Sequence, residues 1–262
     1  EGGPPGLTWL EEASERFSQE NEDISVELTF ISADTGYNEK VTSAIAGGQP
    51  PDTLDTTGSP RSGFRGLLID LNPFLETSTV SSAEDFIPGQ IVRASWGDEL
   101  YAIPKEADAN AMFWWNKDIF EEVGLDPESP PTTWEELQVA AEMTNKQDAS
   151  GRMERLGFLP TYSQSWYYVW LWLNGGELYD PYPPALDTPP TVSFNDEKGI
   201  AALAEMVALS DIAGGQQAVS AFEQGFQTGA QKPFYSGQLA MMCSGDWEYG
   251  QMQEYAPDLN YG

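Results

Sequence analysis

The sequence predicts an α/β fold, with helices layered on the faces of a sheet. Three observations predict it. Helical and strand-like patterns alternate along the chain from its first residues, as they do when helices cover a sheet. The chain has 262 residues, 40% hydrophobic and 12% aromatic, enough to bury a core in one large domain or two smaller ones. No repeat of fixed period runs through it, which excludes a solenoid or propeller.

The elements follow in order. Thr8-Trp9-Leu10-Glu11 has the form of a capping box and predicts a helix over residues 8–20. Ile24, Val26, Leu28 and Phe30 alternate with Ser25, Glu27 and Thr29, a period of two that predicts a strand. Residues 37–46 read as a helix stopped by Gly47-Gly48 at its C′ position. Pro50-Pro51 separates it from a short strand over 52–56, and a helical turn is expected after Asp70 within the apolar stretch 66–75. Residues 100–104 form a strand candidate, the polar stretch 105–110 is the best domain boundary, and 111–115 is an apolar run. Asn116 is placed to cap a helix ending near Gly124, and Pro127, Pro130 and Pro131 make a stiff connector. Thr133-Trp134-Glu135-Glu136 is a second capping box, opening a helix to about residue 144. The aromatic stretch 163–173 reads as helical and ends at Gly175-Gly176, followed by a Pro-rich exposed loop over 181–190. Asn195 is the expected cap for a helix over 197–210. Residues 238–244, apolar between Gly237 and Gly245, predict a strand, and 246–255 a helix.

Charge excludes several functions. With 42 Asp and Glu against 12 Lys and Arg, the formal net charge is −30, which repels nucleic-acid phosphates and anionic membrane surfaces. There is no His, hence no Ser-His-Asp or Cys-His machinery and no His-based metal site. No Asp-x-Asp-x-Asp-Gly loop and no Gly-x-x-x-x-Gly-Lys loop occurs, and neither a metal nor a cofactor is expected. The acids are spread along the chain, the pattern of a solvated surface adapted to concentrated salt, where screening relieves self-repulsion; an ordinary acidic protein is the alternative. Cys243 is the only cysteine, so no intramolecular disulfide forms. The longest apolar run, residues 166–173, is too short to span a membrane. The chain has no initiator Met and no signal peptide, and it begins and ends abruptly, as a processed or partial chain does.

Several segments, in order, carry a more specific resemblance. They are Tyr-Asn-Glu-Lys at 37–40 leading to Ala-Gly-Gly-Gln-Pro-Pro-Asp at 46–52, and Gly-Leu-Leu-Ile-Asp-Leu at 66–71. Phe-Trp-Trp-Asn-Lys-Asp-Ile-Phe at 113–120 continues through Gly-Leu-Asp-Pro at 124–127 and Pro-Pro-Thr-Thr-Trp-Glu-Glu-Leu at 130–137. Leu-Asn-Gly-Gly-Glu-Leu at 173–178, Gly-Gln-Leu-Ala-Met-Met-Cys-Ser-Gly-Asp-Trp at 237–247 and Tyr-Ala-Pro-Asp-Leu-Asn-Tyr-Gly at 255–262 complete the set. Each is weak alone; together, over almost the whole chain, the sequence resembles the extracellular solute-binding proteins of ABC transporters, in the sugar- and oligosaccharide-binding, maltose-binding-protein-like branch. The resemblance implies a two-lobe periplasmic-binding-protein-like fold (type II) lacking its first strand and C-terminal portion. Residues 1–108 would form a partial lobe 1 and 109–262 the first pass through lobe 2, with a hinge crossover near 105–111. It further implies a monomeric, non-catalytic, extracytoplasmic protein, lipid-anchored through an upstream segment or free, that closes on a sugar and hands it to ABC permease subunits.

A sugar pocket needs aromatic platforms and a few fixed polar groups, and nine Trp and eleven Tyr supply the former. The resemblance places Trp247 as the lobe-2 stacking residue, with Asp246 standing where the family has Pro; Asp246 is either a hydroxyl acceptor or a helix cap. Ser165 and Trp166 fall where the family has a polar-aromatic contact at a helix start, and Asp108 and Asn110 fall at the hinge. Thr57 follows a strand candidate's C-terminus, where open α/β sheets place ligands, with Arg61 beside it. Tyr37, at a helix start, is a further candidate. Trp114, Trp115, Trp170 and Trp172 are expected in the core. Two other functions compete. A glycerol-3-phosphate-type polyol phosphate would need cations that are scarce here. A glycoside hydrolase would need a carboxylate pair in an aromatic cleft, and no segment has a hydrolase motif.

Overall fold

The structure is a computed structural model that describes residues 5–31, 37–55, 59–105, 107–180 and 191–262. The chain divides into two compact units: residues 1–77 with 94–102, and residues 78–93 with 103–262.

In the first unit the helices are α1 (Pro5–Glu20), α2 (Tyr37–Ala46), α3 (Ser59–Phe64) and α4 (Asn72–Glu76). Helix α1 starts three residues before Thr8, with Pro5 in the first turn, where its missing N–H costs nothing. The Thr8 capping box is therefore not the helix start. α2 has the predicted bounds. Its end is a Schellman turn: Gly48, at φ +71°, and Gln49 donate to Ile45 O at 3.1 Å and Ala44 O at 3.0 Å. Helix α5 (Pro88–Ala94) leads into a small hairpin of β1 (Ser95–Trp96) and β2 (Glu99–Leu100), shorter than the strand expected over 100–104. Asp70 ties this hairpin down, accepting from Asn72 N at 3.0 Å and Leu100 N at 3.1 Å. Gly63 lies so close to the Tyr101 ring that a Cβ would sit 2.3 Å from it.

Among the described residues, neither the strand predicted over 24–30 nor the one predicted over 52–56, of which 52–55 are described, forms. A period of two becomes a strand only where a second strand accepts its hydrogen bonds. No described segment pairs with either, and Ile24, Val26, Leu28 and Phe30 are all exposed.

The second unit is built on a four-stranded sheet in the order β3-β8-β5-β4. Its strands are β3 (Met112–Trp115), β4 (Lys146–Gln147), β5 (Met153–Phe158) and β8 (Leu239–Ser244). A separate hairpin pairs β6 (Tyr179–Asp180) with β7 (Thr191–Val192). β5 runs parallel to β8, while β3 is antiparallel to β8, pairing Met112 with Ser244 and Trp115 with Met241. Helices α6 (Lys117–Val123), α7 (Trp134–Thr144), α8 (Tyr167–Leu173) and α9 (Glu197–Ile212) contribute to one apolar cluster with Phe158 and Met241. Helices α10 (Gly215–Glu223) and α11 (Trp247–Tyr255) contribute to another with Leu156 and Met242. Successive β3 residues serve opposite clusters, Phe113 and Trp115 the first and Trp114 the second, which is why this strand is apolar throughout.

Local signals predicted this unit well. Asn116 caps α6 by accepting from Ile119 N at 3.0 Å, and Gly124 closes the helix at φ +83°. Thr133 and Glu136 form the reciprocal box at the start of α7. Gly175 and Gly176 end α8 in the same manner as Gly48 and Gln49 end α2. Two readings need correction. Residue 196, not Asn195, caps α9, Asp196 accepting from Gly199 N at 2.8 Å. The second is the first turn of the 163–173 helix, which is a loop, α8 starting at Tyr167. Strand β5 was not predicted at all. Its Glu154 and Arg155 hide the pattern, yet Arg155 is buried, its guanidinium donating to Thr144 O and to Glu122, both at 2.8 Å. That pairing holds the Glu122 carboxyl below its usual range. The loop expected over 181–190 lies outside the described residues. No described helix is long and apolar enough to cross a membrane.

Candidate functional site

Strand direction assembles the site. β5 and β8 are parallel and β3 opposes β8, so the segment before β3 and the segments after β5 and β8 emerge at one end of the sheet. Open α/β sheets bind ligands outside the carboxyl ends of such strands. Residues 109–111, 159–166 and 245–247 meet there, bound to one another.

Asp246 provides the first tie. It sits at the cap position of α11, but in helical conformation (φ −65°, ψ −20°) and with no side-chain capping bond. Its Oδ2 instead accepts from Ala109 N at 3.2 Å, and its own N–H donates to Ala109 O at 3.1 Å. Asp246 thus clasps the strand leading into β3, with exposed Asp108 and Asn110 on either side of the clasped residue. The second tie fixes the loop after β5. Gln164 N donates to Cys243 O at 3.1 Å, and the Ser163 and Ser244 hydroxyls are 2.8 Å apart. Ser163, at φ +55°, is the only described non-glycine residue with positive φ.

Two aromatic surfaces stand over these ties. The Trp247 indole is 36% exposed and rests on Gly245, where a Cβ would lie 2.1 Å from the ring. Trp166 is 47% exposed and its ring meets Tyr168 at 5.3 Å, which in turn meets Trp172 at 4.8 Å. Trp172, expected in the core, is therefore an exposed member of an aromatic row, while Trp170 is buried. Ser165 is also buried; its hydroxyl accepts from Trp170 Nε1 at 3.0 Å and serves packing. Trp114 is buried in the second apolar cluster, and Trp115 is part-buried against the first. Arg61 is exposed on α3 in the other unit. Thr57 and the Tyr37 side chain lie outside the described residues.

Beneath Trp247 is a network that sequence reasoning missed. Glu248 is fully buried and accepts from Lys232, from the Tyr235 hydroxyl and from the Ser244 hydroxyl, the last at 2.7 Å. Since Ser244 gives its proton to Glu248, Ser163 donates to Ser244. The ammonium of Lys232 also lies 5.2 Å from the Tyr235 ring centroid. Burial, and then the bond to Glu248, raise the Tyr235 pKa. Burial pushes Tyr162 up to about 12 and Cys243 up to about 11, so both stay protonated at neutral pH. Nothing local in the sequence marks Lys232 and Glu248 as partners; they meet only because β8 turns into α11 beside the segment 229–235. No group of three or more acidic or cysteine side chains placed to hold a metal occurs among the described residues.

A profile described as "bacterial extracellular solute-binding protein" matches residues 2–261. The solved structure of CpMnBP1 with mannotriose bound is 26% identical, with a TM-score of 0.80, over 100% of this chain and 65% of that one. The GacH receptor of Streptomyces glaucescens, solved unliganded and with acarbose, shares the fold at 20% identity and a TM-score of 0.70, over 100% of this chain and 64% of that one. Among curated proteins, the sn-glycerol-3-phosphate-binding periplasmic protein UgpB of Escherichia coli (strain K12) is 24% identical over 97% of this chain. The chain spans 56% of that relative's length.

Proposed function

We propose, because the chain belongs to the family of bacterial extracellular solute-binding proteins, that it is most of a non-catalytic carbohydrate receptor serving an ABC importer. In this reading the full-length protein is extracytoplasmic, closes two lobes over a sugar around a crossover near residues 105–111, and delivers it to permease subunits. Residues 1–108 would belong to one lobe and 109–262 to the other. Ligand favours the closed form only through contacts made better there than in the open form. The −30 charge then describes a surface suited to a saline exterior.

The observation that carries the proposal is Trp247: a half-open indole at the carboxyl end of β8, braced by Gly245 and by the buried Glu248 network. A preorganised aromatic face with polar groups beside it suits the C–H face and hydroxyl edge of a sugar. Asp246, Asp108, Asn110 and Trp166 flank it as ligand contacts in this reading, with Ser165 supporting from behind; Tyr37, Thr57 and Arg61 are proposed contacts from the other lobe. The test is calorimetric titration with saccharides, beginning with mannotriose. Trp247→Ala is expected to weaken binding by about tenfold or more while thermal unfolding is nearly unchanged. Unaltered affinity would remove Trp247 from the site.

The likeness to UgpB supports a second reading, a polyol phosphate ligand. Against it, Lys232, the cation in the network beside Trp247, is already paired with Glu248. Binding of glycerol 3-phosphate without binding of neutral sugars would reverse the ranking.

A further inference from the structure

Asp246 caps a helix and completes a strand pair at the same residue. In an antiparallel ladder, two hydrogen-bonded residues each donate an N–H to the other's carbonyl oxygen. Asp246 N donates to Ala109 O at 3.1 Å, which is one half of such a pair. The other half does not use the Asp246 carbonyl, because that oxygen is turned into α11, where it accepts from Tyr249 N at 3.0 Å. The carboxylate takes its place, Oδ2 accepting from Ala109 N at 3.2 Å. A side-chain oxygen thus stands in for a backbone carbonyl, and the ladder gains a pair where the helix starts. The helix itself does not call on that side chain. Backbone oxygens meet its first N–H groups, Glu248 N donating to Gly245 O at 3.2 Å beside the Tyr249 bond. The β3–β8 register, with Met112 opposite Ser244, would bring Asn110 opposite Asp246. The pair forms with Ala109 instead, a slip of one residue across Gly245. A slip of this kind exchanges the faces on which side chains stand, so the tie, and not continued pairing, sets how the strand enters β3.

Trp247 stands between two held residues. After it comes Glu248, wholly buried and accepting from Lys232, Tyr235 and Ser244. Before it comes Asp246, held only by its pair with Ala109 and exposed. The indole lies across Gly245, the residue at the slip, where an added Cβ would be 2.1 Å from the ring. The backbone beneath the ring is therefore fixed at both ends, and Asp246 holds the end that is open to solvent. We propose that Asp246 is the positioning residue of Trp247: by closing the pair with Ala109 its carboxylate presets the indole, and the larger part of its effect on affinity runs through that ring. A preset face leaves less to be ordered when ligand binds. The Pro that the family has at this position supplies neither the N–H nor the oxygen, so the device belongs to this chain. The ligand named in the test rests on the carbohydrate-receptor reading.

The test is read on the full-length protein labelled with fluorotryptophan, the Trp247 resonance being the one lost in Trp247→Phe. Without ligand, Asp246→Ala is expected to shift or broaden that resonance. Asp246→Asn, which keeps an oxygen acceptor, is expected to return it to its parental position. By calorimetry, Asp246→Ala is expected to lower mannotriose affinity about threefold to tenfold. When Trp247→Ala is already present, the further loss is expected to be no more than about twofold. Equal losses in the two backgrounds would make Asp246 act on the ligand directly and overturn the proposal. A Trp247 resonance left in place by Asp246→Ala would overturn it too, even with a lowered melting temperature, since the clasp would then be only a strut. If no saccharide binds, the receptor reading falls, and the fluorine spectra still decide whether Asp246 sets the indole.

Discussion

The two units of this chain carry the same kinds of sequence pattern and put them to different use. In the second unit, apolar runs at 112–115 and 239–244 become paired strands, and Leu156, Leu239 and Met241 are wholly buried. In the first unit, the cleaner alternation from Ile24 to Phe30 forms no strand, and Phe30 is 61% exposed. Both patterns satisfy the period-two rule. The difference is the partner: β8 has a neighbour on each side, and residues 24–30 have none among the described residues. Alternation is a request for a sheet, and a ladder is what answers it.

Four experiments probe that contrast. The largest expected effect is at the buried network of the second unit. Glu248→Ala leaves the Lys232 ammonium and the Tyr235 and Ser244 hydroxyls without their shared acceptor, and a loss of about 3–5 kcal/mol is expected in urea denaturation. A loss near zero would mean that the unit does not depend on this network. Next is Gly157→Ala in β5. The added Cβ would lie 2.1 Å from Ala141 O and 2.6 Å from the Thr144 hydroxyl, so α7 must move off the sheet, at a cost of about 1–3 kcal/mol. Unchanged stability would show that the helix–sheet contact is slack.

A smaller effect is expected at Asp148, in the turn before β5. Hydrogen bonds from the Ser150 hydroxyl and then the Arg152 backbone lower its pKa from 3.8 to about 2. A depressed folded-state pKa stabilises the fold above the unfolded value and is lost as pH falls through the folded one. Melting temperature should therefore drop slightly more steeply between pH 4 and pH 2 in the parent than in Asp148→Asn. Parallel curves would dismiss the turn as a contributor. The smallest effect is expected in the first unit. Val26→Ser changes a side chain that is 41% exposed and should shift stability by no more than about 0.5 kcal/mol. A loss comparable to that of Gly157→Ala would reveal that residues 24–30 have a sheet partner after all, and the contrast between the units would collapse.

Much of the fold was legible where the deciding interaction spans a few residues. The Asn116 cap, the Thr133–Glu136 box, Gly124 and Gly175 each satisfy backbone groups within one helical turn; the cap, the box and Gly175 are legible to the residue, and the end of α6 falls at Gly124, near which it is expected. The cap of α9 was read one residue early because Asn195 and Asp196 are both good caps and only the backbone path chooses between them. β5 was missed because the pattern gives no reason to bury Arg155; that reason is Glu122, far off in sequence. The candidate site divides in the same way. Trp247 and Asp246 were singled out from a short motif. The role of Asp246 as a clasp on Ala109 and the withdrawal of Ser165 into the core were not, because each depends on strands that pair across long stretches of chain.

By itself, the sequence determined several helix ends, among them those at Asn116, Thr133 and Gly175, together with the apolar identity of the central strands, the absence of His chemistry, the acidic surface and family membership. These are properties of composition and of neighbours within a turn, where few conformations compete. Tertiary structure alone decided which alternating segment became a strand and which buried charge found its partner. It also decided which aromatics face outward at the end of the sheet. Such outcomes rest on contacts between segments a hundred or more residues apart, as between Ala109 and Asp246, whose ordering is favourable only once the whole sheet is formed.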